Sequence, residues 1–203
     1  MTKKIGILGG AFNPIHIAHI EIAEAVLNNL NYDEIWFLVS FNPPHKELIN
    51  EKDFIDRCNM VKLAISYNNK FVLKDLEQKL YNDKVFDTNS SYNVMTYLTN
   101  KYKDCQFSLI LGYDELLNIK TFKNYQELLN NFGFVFIKRI NYNVDTKYLE
   151  ELKKDYNIKY DLIDTNITDC SATEIRKEIK DNKYSKYLNK EVLDYIIKYN
   201  LYS

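Results

Sequence analysis

The feature that most constrains this chain is the passage from a short apolar run, residues 4–8, through Gly9 and Gly10 to His16 and His19. The apolar run is typical of a buried strand, and the histidines, three residues apart, stand where a helix should begin. Glycine lets a backbone come close to a phosphate, and a helix N-terminus offers free N–H groups and a partial positive charge. Because the histidines add further donors, the segment indicates a site for a nucleotide polyphosphate.

Two other interpretations of the histidine pair stay open. His16 and His19 could bind a metal ion from one helix face, but the chain has only three histidines and its cysteines lie far away in sequence. They could also pack the first helix on its strand, which is the usual role of a histidine on an apolar face. The adjacent glycine pair favours phosphate, and we predict no metal site built from protein side chains.

The length and the charge of the chain limit its fold and its partners. With 203 residues we predict one domain over residues 1–203, of which 171–203 form a helical C-terminal part. The formal net charge of −1 argues against a general nucleic-acid or membrane-surface binder, because either would need a concentrated basic field. Any bound polyanion is therefore expected to be small.

The cysteines and the hydropathy pattern predict a cytoplasmic protein. Cys58, Cys105 and Cys170 are widely spaced without a CxxC pair, which predicts free thiols rather than disulfides or a zinc site. The N-terminus starts a strand instead of an apolar signal segment, and no run approaches the ~20 apolar residues of a membrane span.

Short apolar runs alternate with amphipathic stretches along almost the whole chain. The runs predict strands at residues 4–8, 34–39, 71–73, 107–111, 132–137 and 160–163. The amphipathic stretches predict helices at residues 16–29, 52–67, 91–101 and 147–156. This alternation indicates a Rossmann-like α/β fold with a doubly wound, mostly parallel sheet. Such sheets bind ligands beyond the carboxyl ends of their strands, that is, at residues 9–19, 40–46, 112–122 and 170–176.

Several common catalytic signatures are missing from the sequence. There is no GxxxxGK[ST], which disfavours a P-loop kinase or ATPase. No GxGxxG follows the first strand, which disfavours a dinucleotide-binding dehydrogenase. A GxSxG elbow is also missing. The candidates that remain are the polar segments after the predicted strands.

The loop after the second predicted strand carries Pro43 and Pro44, followed by His45 and Lys46. By itself it could be a surface loop with a solvated lysine. Beside a glycine turn that suits phosphate, an imidazole and an ammonium on a stiffened loop indicate contact with phosphate instead.

Gly112 and Asp114 follow the strand predicted at residues 107–111. A glycine and a carboxylate just beyond a central strand commonly face a nucleotide, the first by close backbone approach and the second by hydrogen bonds to hydroxyls. Asp114 could equally cap a helix that begins there. The local sequence leaves both interpretations open.

Ser171, Thr173 and Arg176 lie near the start of another helical stretch. Ser171 or Asp169 could cap this helix, with Glu174 completing a capping box. Two hydroxyls and a guanidinium beside a helix N-terminus also suit a phosphate chain. Capping and phosphate binding are compatible, so neither excludes the other.

Two segments at opposite ends of the chain resemble the signature motifs of a known family. Residues 9–19, GGAFNPIHIAH, resemble the GGxFxPxHxGH motif of the HxGH nucleotidyltransferases, and residues 171–176, SATEIR, resemble their SxTxIR motif. Residues 43–46, 57–65 and 112–114 narrow the resemblance to the bacterial nicotinate mononucleotide adenylyltransferases. The resemblance covers essentially the whole chain.

This resemblance implies transfer of AMP from ATP to nicotinate mononucleotide, with magnesium, giving deamido-NAD and pyrophosphate in NAD biosynthesis. The acceptor's 5′-phosphate would attack the α-phosphorus directly, so catalysis would consist of positioning and electrostatic stabilisation. A sister nucleotidyltransferase, of the pantetheine-phosphate adenylyltransferase type, and a non-catalytic nucleotide sensor are the alternative functions. The sequence is compatible with a homo-oligomer, and we expect no nucleic-acid or membrane partner.

The same resemblance implies roles for individual residues. The catalytic set would be His16, His19, Lys46 and Arg176. The ATP-binding set would be Gly9, Gly10, Ala11, Phe12, His16, His19, Gly112, Asp114, Ser171, Thr173 and Arg176. The acceptor would be bound by His45, Lys46, Tyr92, Asn93, Phe122 and Arg139.

Three positions depart from the family pattern. Ala18 replaces a glycine and adds one methyl group. Asn93 replaces the threonine expected near the pyridine carboxylate, and Phe122 replaces a tryptophan that stacks on the nicotinate ring. The added methyl of Ala18 should be tolerated if the backbone there is helical, so the ATP half of the pattern is secure, whereas the preference for acid over amide depends on the two altered positions Asn93 and Phe122.

Overall fold

The computed structural model describes residues 2–41, 51–86, 90–139, 146–181, 183 and 185–203. Six strands form one sheet: β1 (Lys3–Gly10), β2 (Glu34–Val39), β3 (Phe71–Lys74), β4 (Cys105–Gly112), β5 (Gly133–Arg139) and β6 (Lys159–Thr165). Their spatial order is β3-β2-β1-β4-β5-β6, and every neighbouring pair is parallel. The doubly wound, Rossmann-like α/β prediction is confirmed. The strand order reverses between β1 and β4, which is where such sheets bind ligands.

The helices cover most of the chain between the strands. They are α1 (Ile17–Asn29), α2 (Glu51–Ile65), α3 (Leu76–Asn82), α4 (Ser91–Lys101), α5 (Tyr113–Leu117), α6 (Tyr125–Asn131), α7 (Thr146–Asp155), α8 (Ala172–Lys180) and α9 (Lys190–Lys198), with a 3-10 helix at Ile119–Thr121. The four predicted helices match α1, α2, α4 and α7 within two residues at each end. The sequence did not predict α3 and α6, and it left α5 open as one of the two interpretations of Asp114. Each of the three helices spans about two turns or less and is too short to show a helical period.

Two apolar clusters, one on each face of the sheet, hold the helices in place. On one face α1, α2 and α9 pack with Phe37, and on the other α3 to α7 pack with Leu109. The central strands are therefore apolar on both faces, as parallel strands covered by helices must be. The C-terminal part joins this packing, since the Tyr195 hydroxyl of α9 donates to Asp56 Oδ1 of α2 at 2.8 Å.

The cysteines agree with the prediction of free thiols. Cys58, Cys105 and Cys170 form no disulfide. Burial raises the pKa of the Cys58 thiol to about 12, which keeps it protonated and unreactive. In the ranges that the structure describes, no helix combines the length and the apolar character needed to span a bilayer.

Candidate active site

The glycine turn, residues 9–12, lies at the carboxyl edge of the sheet, next to the ends of β2 and β4. Gly10 pairs with Val39 of β2, and Gly112 ends β4 on the other side of β1. Strand β1 continues through both glycines, two residues further than predicted, because its pairing with β2 extends to Gly10. A Cβ atom added to Gly9 would meet nothing within 4 Å, so the space in front of the turn is open to a ligand.

Phe12 turns the chain beneath these glycines. Its φ of +46° is in the left-handed region, and the residue is only 2% exposed. A Cβ on Gly10 would lie 3.2 Å from the Phe12 ring, so the glycine is what lets the ring fold under the turn. The ring packs edge-on against His19 with centroids 4.9 Å apart. Phe12 therefore supports His19 from within the core.

His16 and His19 lie together at the N-terminus of α1. His16 is the N-cap residue, and its backbone N–H donates to Nδ1 of His19 at 3.2 Å. The centroids of the two rings are 3.8 Å apart. Because Nδ1 of His19 accepts this hydrogen bond, we assign the ring proton to Nε2, which is then a donor.

The protonation state of His19 follows from its surroundings. Burial of the ring, together with the neighbouring His16, lowers the pKa of His19 to about 3. The ring is therefore neutral near pH 7 in the ligand-free protein, and its Nε2–H is an uncharged donor. A phosphate anion beside it would favour the charged form, so ATP binding is expected to raise this pKa.

The N-terminus of α1 is fixed against the C-terminal part of the chain. His16 is 8% exposed, and its Nδ1 lies 3.4 Å from Sγ of Cys170. The Ile17 N–H donates to the Tyr187 carbonyl at 2.9 Å. Within the described ranges, no three or more His, Cys, Asp or Glu side chains form a group that could hold a metal ion.

Ser171 begins α8 as its N-cap residue. Its hydroxyl oxygen accepts from the Glu174 N–H at 3.2 Å, and its hydroxyl donates to Oε2 of Glu174 at 2.9 Å. Capping by Ser171 is thus confirmed, but the Glu174 carboxylate accepts from the Ser171 hydroxyl where a capping box would have it accept from the Ser171 backbone N–H. The alternative cap, Asp169, is wrong because it lies two residues before the helix cap. The open N-terminus of α8 still presents backbone N–H groups to a phosphate.

Arg176 joins the two signature segments. Its Nη1 donates to the Asn13 carbonyl at 2.7 Å, and its Nη2 donates to Oγ1 of Thr173 at 3.2 Å. The Tyr202 hydroxyl also holds Asn13, donating to its Oδ1 at 2.6 Å. One guanidinium therefore connects α8 to the loop after the glycine turn, although 163 residues separate Arg176 from Asn13.

Gly112 and Asp114 lie at the end of β4. Gly112 is the N-cap residue of α5 and Asp114 is in its first turn, so the interpretation of Asp114 as the cap is wrong. A Cβ on Gly112 would overlap Oδ1 of Asp114, because the carboxylate folds back over the glycine. Asp114 is exposed, so its carboxylate is accessible to the hydroxyl groups of a ligand.

The structure describes part of the predicted acceptor side. Tyr92 and Asn93 lie in the first turn of α4, where the Ser90 hydroxyl accepts from the Asn93 N–H at 3.3 Å. Phe122 follows the 3-10 helix and is half-buried against the apolar cluster on the face of the sheet that α3 to α7 cover. The predictions outside the described residues are His45, Lys46 and the side chain of Arg139, whose backbone ends β5.

Two buried charged residues beneath the site were missed by the sequence analysis. Arg57 of α2 is 1% exposed, and its Nη1 donates to the carbonyls of Ala11 at 2.7 Å and Ser40 at 2.8 Å. Glu77 of α3 is 6% exposed, and its Oε2 accepts from the Phe41 N–H at 3.1 Å. In the sequence each resembles an ordinary surface charge of an amphipathic helix. The one available signal is the inclusion of Arg57 in the family-like stretch 57–65.

The buried carboxyl of Glu77 should make the free energy of unfolding of the protein depend measurably on pH. Burial raises the pKa of its carboxyl to about 8 from an ordinary value of 4.5. Between these values the folded protein holds a proton that the unfolded chain releases, so the free energy of unfolding should fall as pH rises. A tenfold difference in proton affinity is worth about 1.4 kcal/mol, and the linkage between about pH 5 and 8.5 spans almost three such factors, so Glu77→Gln should gain about 4 kcal/mol relative to wild type over this interval.

Urea unfolding at both pH values measures this difference. Glu127→Gln is the matched control, because Glu127 is an exposed residue of α6 and its loss should leave the pH dependence unchanged. Identical pH dependence in wild type and Glu77→Gln would contradict the assignment of a raised pKa to Glu77.

Both the sequence and the structure of this chain are similar to those of known proteins. A family model described as cytidylyltransferase-like matches residues 7–178. The probable nicotinate-nucleotide adenylyltransferase of Clostridium novyi is 36% identical over 183 residues, covering 89% of each chain. That of Flavobacterium psychrophilum is 32% identical over 181 residues, covering 89% of this chain and 88% of its own. Among solved structures, the Plasmodium falciparum nicotinic acid mononucleotide adenylyltransferase complexed with NaAD is 28% identical with a TM-score of 0.79, covering 98% of this chain and 97% of that one.

Proposed function

Because the chain belongs to the cytidylyltransferase-like family, in which its relatives are nicotinate-nucleotide adenylyltransferases, we propose that it transfers AMP from ATP to nicotinate mononucleotide. The products are deamido-NAD and pyrophosphate. The observation that carries this proposal is the hydrogen bond from Arg176 to the Asn13 carbonyl, which brings the SxTxIR helix against the glycine turn and the histidine pair.

The reaction proposed for this site is a direct displacement. An oxygen of the acceptor's 5′-phosphate bonds to the α-phosphorus of ATP, and the bond from that phosphorus to the α,β-bridging oxygen breaks. The electron pair of the broken bond leaves with pyrophosphate. A phosphate monoester is already ionised at pH 7, so neither a protein nucleophile nor a general base is needed. Catalysis then consists of aligning two phosphates and stabilising their charge.

The described side chains can supply donors for that charge. His19 would donate through Nε2–H to the transferring α-phosphate, with His16 beside it on the same phosphates. Arg176 would hold the β- and γ-phosphates with the hydroxyls of Ser171 and Thr173. Since Arg176 is already held by two hydrogen bonds, it loses little rotamer freedom when ATP binds.

The remaining contacts are assigned by position. Along the nucleotide we propose Gly9, Gly10, Ala11 and Phe12, with Gly112 and Asp114 near its ribose. On the acceptor we propose His45, Lys46, Tyr92, Asn93, Phe122 and Arg139. Lys46 would add positive charge where the two phosphates meet.

The setting of the reaction is also proposed. Magnesium would enter with ATP as part of the substrate, because Mg²⁺ is usually held by phosphate oxygens and water rather than by a protein cage. Residues 1–203 would form one nucleotidyltransferase domain with a helical part at 171–203. The three free thiols support a reducing compartment, for which we propose the cytoplasm. A homo-oligomer stays a prediction.

Phe122→Ala is expected to raise the KM for nicotinate mononucleotide about fivefold while changing the KM for ATP less than about twofold. An aromatic contact is worth ~1 kcal/mol, and 1.4 kcal/mol is a tenfold change in affinity. Initial rates at varied concentrations of each substrate measure both constants. Tyr199→Ala is the control, because Tyr199 is an exposed aromatic residue next to α9. An unchanged acceptor KM in Phe122→Ala would assign the stack to another ring.

Product identification separates the proposed function from its alternatives. The purified chain is incubated with ATP, magnesium and, in separate reactions, nicotinate mononucleotide or 4′-phosphopantetheine, and the products are identified by mass spectrometry. We expect deamido-NAD from the first reaction and no dephospho-CoA from the second. Dephospho-CoA without deamido-NAD would assign the chain to the sister reaction. Binding of ATP without turnover on either acceptor would support a nucleotide sensor.

A further inference from the structure

Two buried ionisable side chains hold a single peptide group at the exit of β2. The Ser40 carbonyl accepts from Arg57 Nη1 at 2.8 Å, and the Phe41 N–H of the same peptide group donates to Glu77 Oε2 at 3.1 Å. We propose that Arg57 and Glu77 are positioning residues that fix this peptide group and so keep the acceptor side of the site aligned with the glycine turn. The kinetic consequences of this inference rest on the proposed function.

The same arginine ties the peptide group to the glycine turn. Its Nη1 also donates to the Ala11 carbonyl at 2.7 Å, and the Ser40 N–H donates to the Gly10 carbonyl at 2.9 Å. A carbonyl of the turn and a carbonyl of the β2 exit therefore share one nitrogen donor, so a shift of either one strains the other. Ala11 is proposed on the ATP side, whereas the chain beyond Ser40 carries His45 and Lys46, proposed for the acceptor.

The two side chains reach this peptide group from opposite layers of the fold. Arg57 belongs to α2, which packs on the same face of the sheet as α1, and Glu77 belongs to α3, which packs on the opposite face of the sheet. A shift of either layer relative to the sheet is thus transmitted to the peptide group. Different side chains hold the oxygen and the nitrogen of this peptide group, so each contact can be removed by its own substitution.

The burial of Arg57 is costly for stability alone. In the described part of the chain its Nε and Nη2 are buried without hydrogen-bond partners. A buried charge with incomplete hydrogen bonding is unfavourable, and an apolar side chain of similar volume often stabilises such a position. A guanidinium is favoured here because it can donate to two carbonyls at once, which an apolar side chain cannot do.

Substitutions that preserve side-chain volume distinguish the contact made by Arg57 from the contact made by Glu77. Glu77→Met keeps the side-chain volume but removes the acceptor of the Phe41 N–H, so the KM for nicotinate mononucleotide should rise about tenfold with the KM for ATP unchanged within about twofold. Arg57→Met should raise both KM values about tenfold or more and lower kcat. Arg57→Lys should recover part of this loss, because an ammonium can still donate but lacks the planar fork. Lys62→Met and Lys79→Met, exposed on α2 and α3, are the matched controls.

Hydrogen exchange of the Phe41 amide gives a readout that does not depend on turnover. We expect exchange at least about tenfold faster in Glu77→Met than in wild type and unchanged exchange in Lys79→Met. Unchanged exchange together with an unchanged acceptor KM in Glu77→Met would overturn the proposal. Equal losses of ATP and acceptor affinity in Glu77→Met, in step with a lower unfolding temperature, would also overturn it. If the wild type transferred no AMP but the Phe41 amide still exchanged faster in Glu77→Met than in wild type, the contact between Glu77 and Phe41 would be supported and the proposed function would be contradicted instead.

Discussion

Replacing His19 with alanine is expected to lower kcat about 100-fold or more while changing the KM for nicotinate mononucleotide less than about threefold. The physical reason is the orientation of the ring. The His16 N–H occupies Nδ1, so Nε2 carries the proton and can donate to charge that develops on the α-phosphate. A donor held in place before the reaction contributes chiefly to the transition state, which is why the loss should appear in kcat.

Single-turnover and steady-state rates of pyrophosphate release measure this effect. His19→Gln is the conservative comparison, because its amide N–H can still donate, and it should lie between wild type and His19→Ala. Ile17→Ala is the matched control, since Ile17 opens the same helix and is 40% exposed. Near-normal kcat in His19→Ala would remove His19 from its proposed role.

Arg176→Met is expected to raise the KM for ATP about tenfold or more and to lower kcat on the order of 100-fold. The substitution removes the proposed partner of the β- and γ-phosphates. It also removes the hydrogen bonds to the Asn13 carbonyl and Thr173, which connect α8 to the loop after the glycine turn. Both losses weaken the binding of ATP. The loss of the guanidinium also removes the positive charge that would stabilise the departing pyrophosphate.

Two further variants distinguish the effect of the positive charge of Arg176 from the effect of its guanidinium geometry. Arg176→Lys keeps the positive charge but lacks the fork that reaches Asn13 and Thr173 together, so it should recover ATP affinity only in part. Lys177→Met removes an exposed charge from the next position of α8 and should leave both constants unchanged. Equal effects of Arg176→Met and Lys177→Met would show that net charge alone matters.

The long elements could be predicted because local pattern and tertiary packing agree there. The predicted bounds of α4 are those observed, since its apolar period is clear and Ser90 caps it. The end of β1 was misjudged because its last pairs with β2 are made by the backbone of Gly9 and Gly10, which carry no side-chain pattern. A glycine pair is read as a turn in the sequence, although pairing with a neighbouring strand holds it extended.

The site could be predicted in its polar motifs but not in the contacts that support them. The approach of Arg176 to the glycine turn follows from the topology, because both segments lie at the carboxyl edge of the sheet. The burial of the Phe12 ring depends on a positive φ that no local pattern reveals. Arg57 and Glu77 were missed because the burial of a charged side chain is decided by distant backbone groups, here the peptide group between Ser40 and Phe41.

The most direct test is the initial rate of pyrophosphate release by the purified wild-type chain with ATP and magnesium, measured in parallel with nicotinate mononucleotide and with nicotinamide mononucleotide. We expect rapid release with the acid and a strong preference for it over the amide. Comparable rates would contradict acid selectivity and direct attention to Asn93, where the family pattern has threonine. No release with nicotinate mononucleotide would contradict the proposed reaction itself.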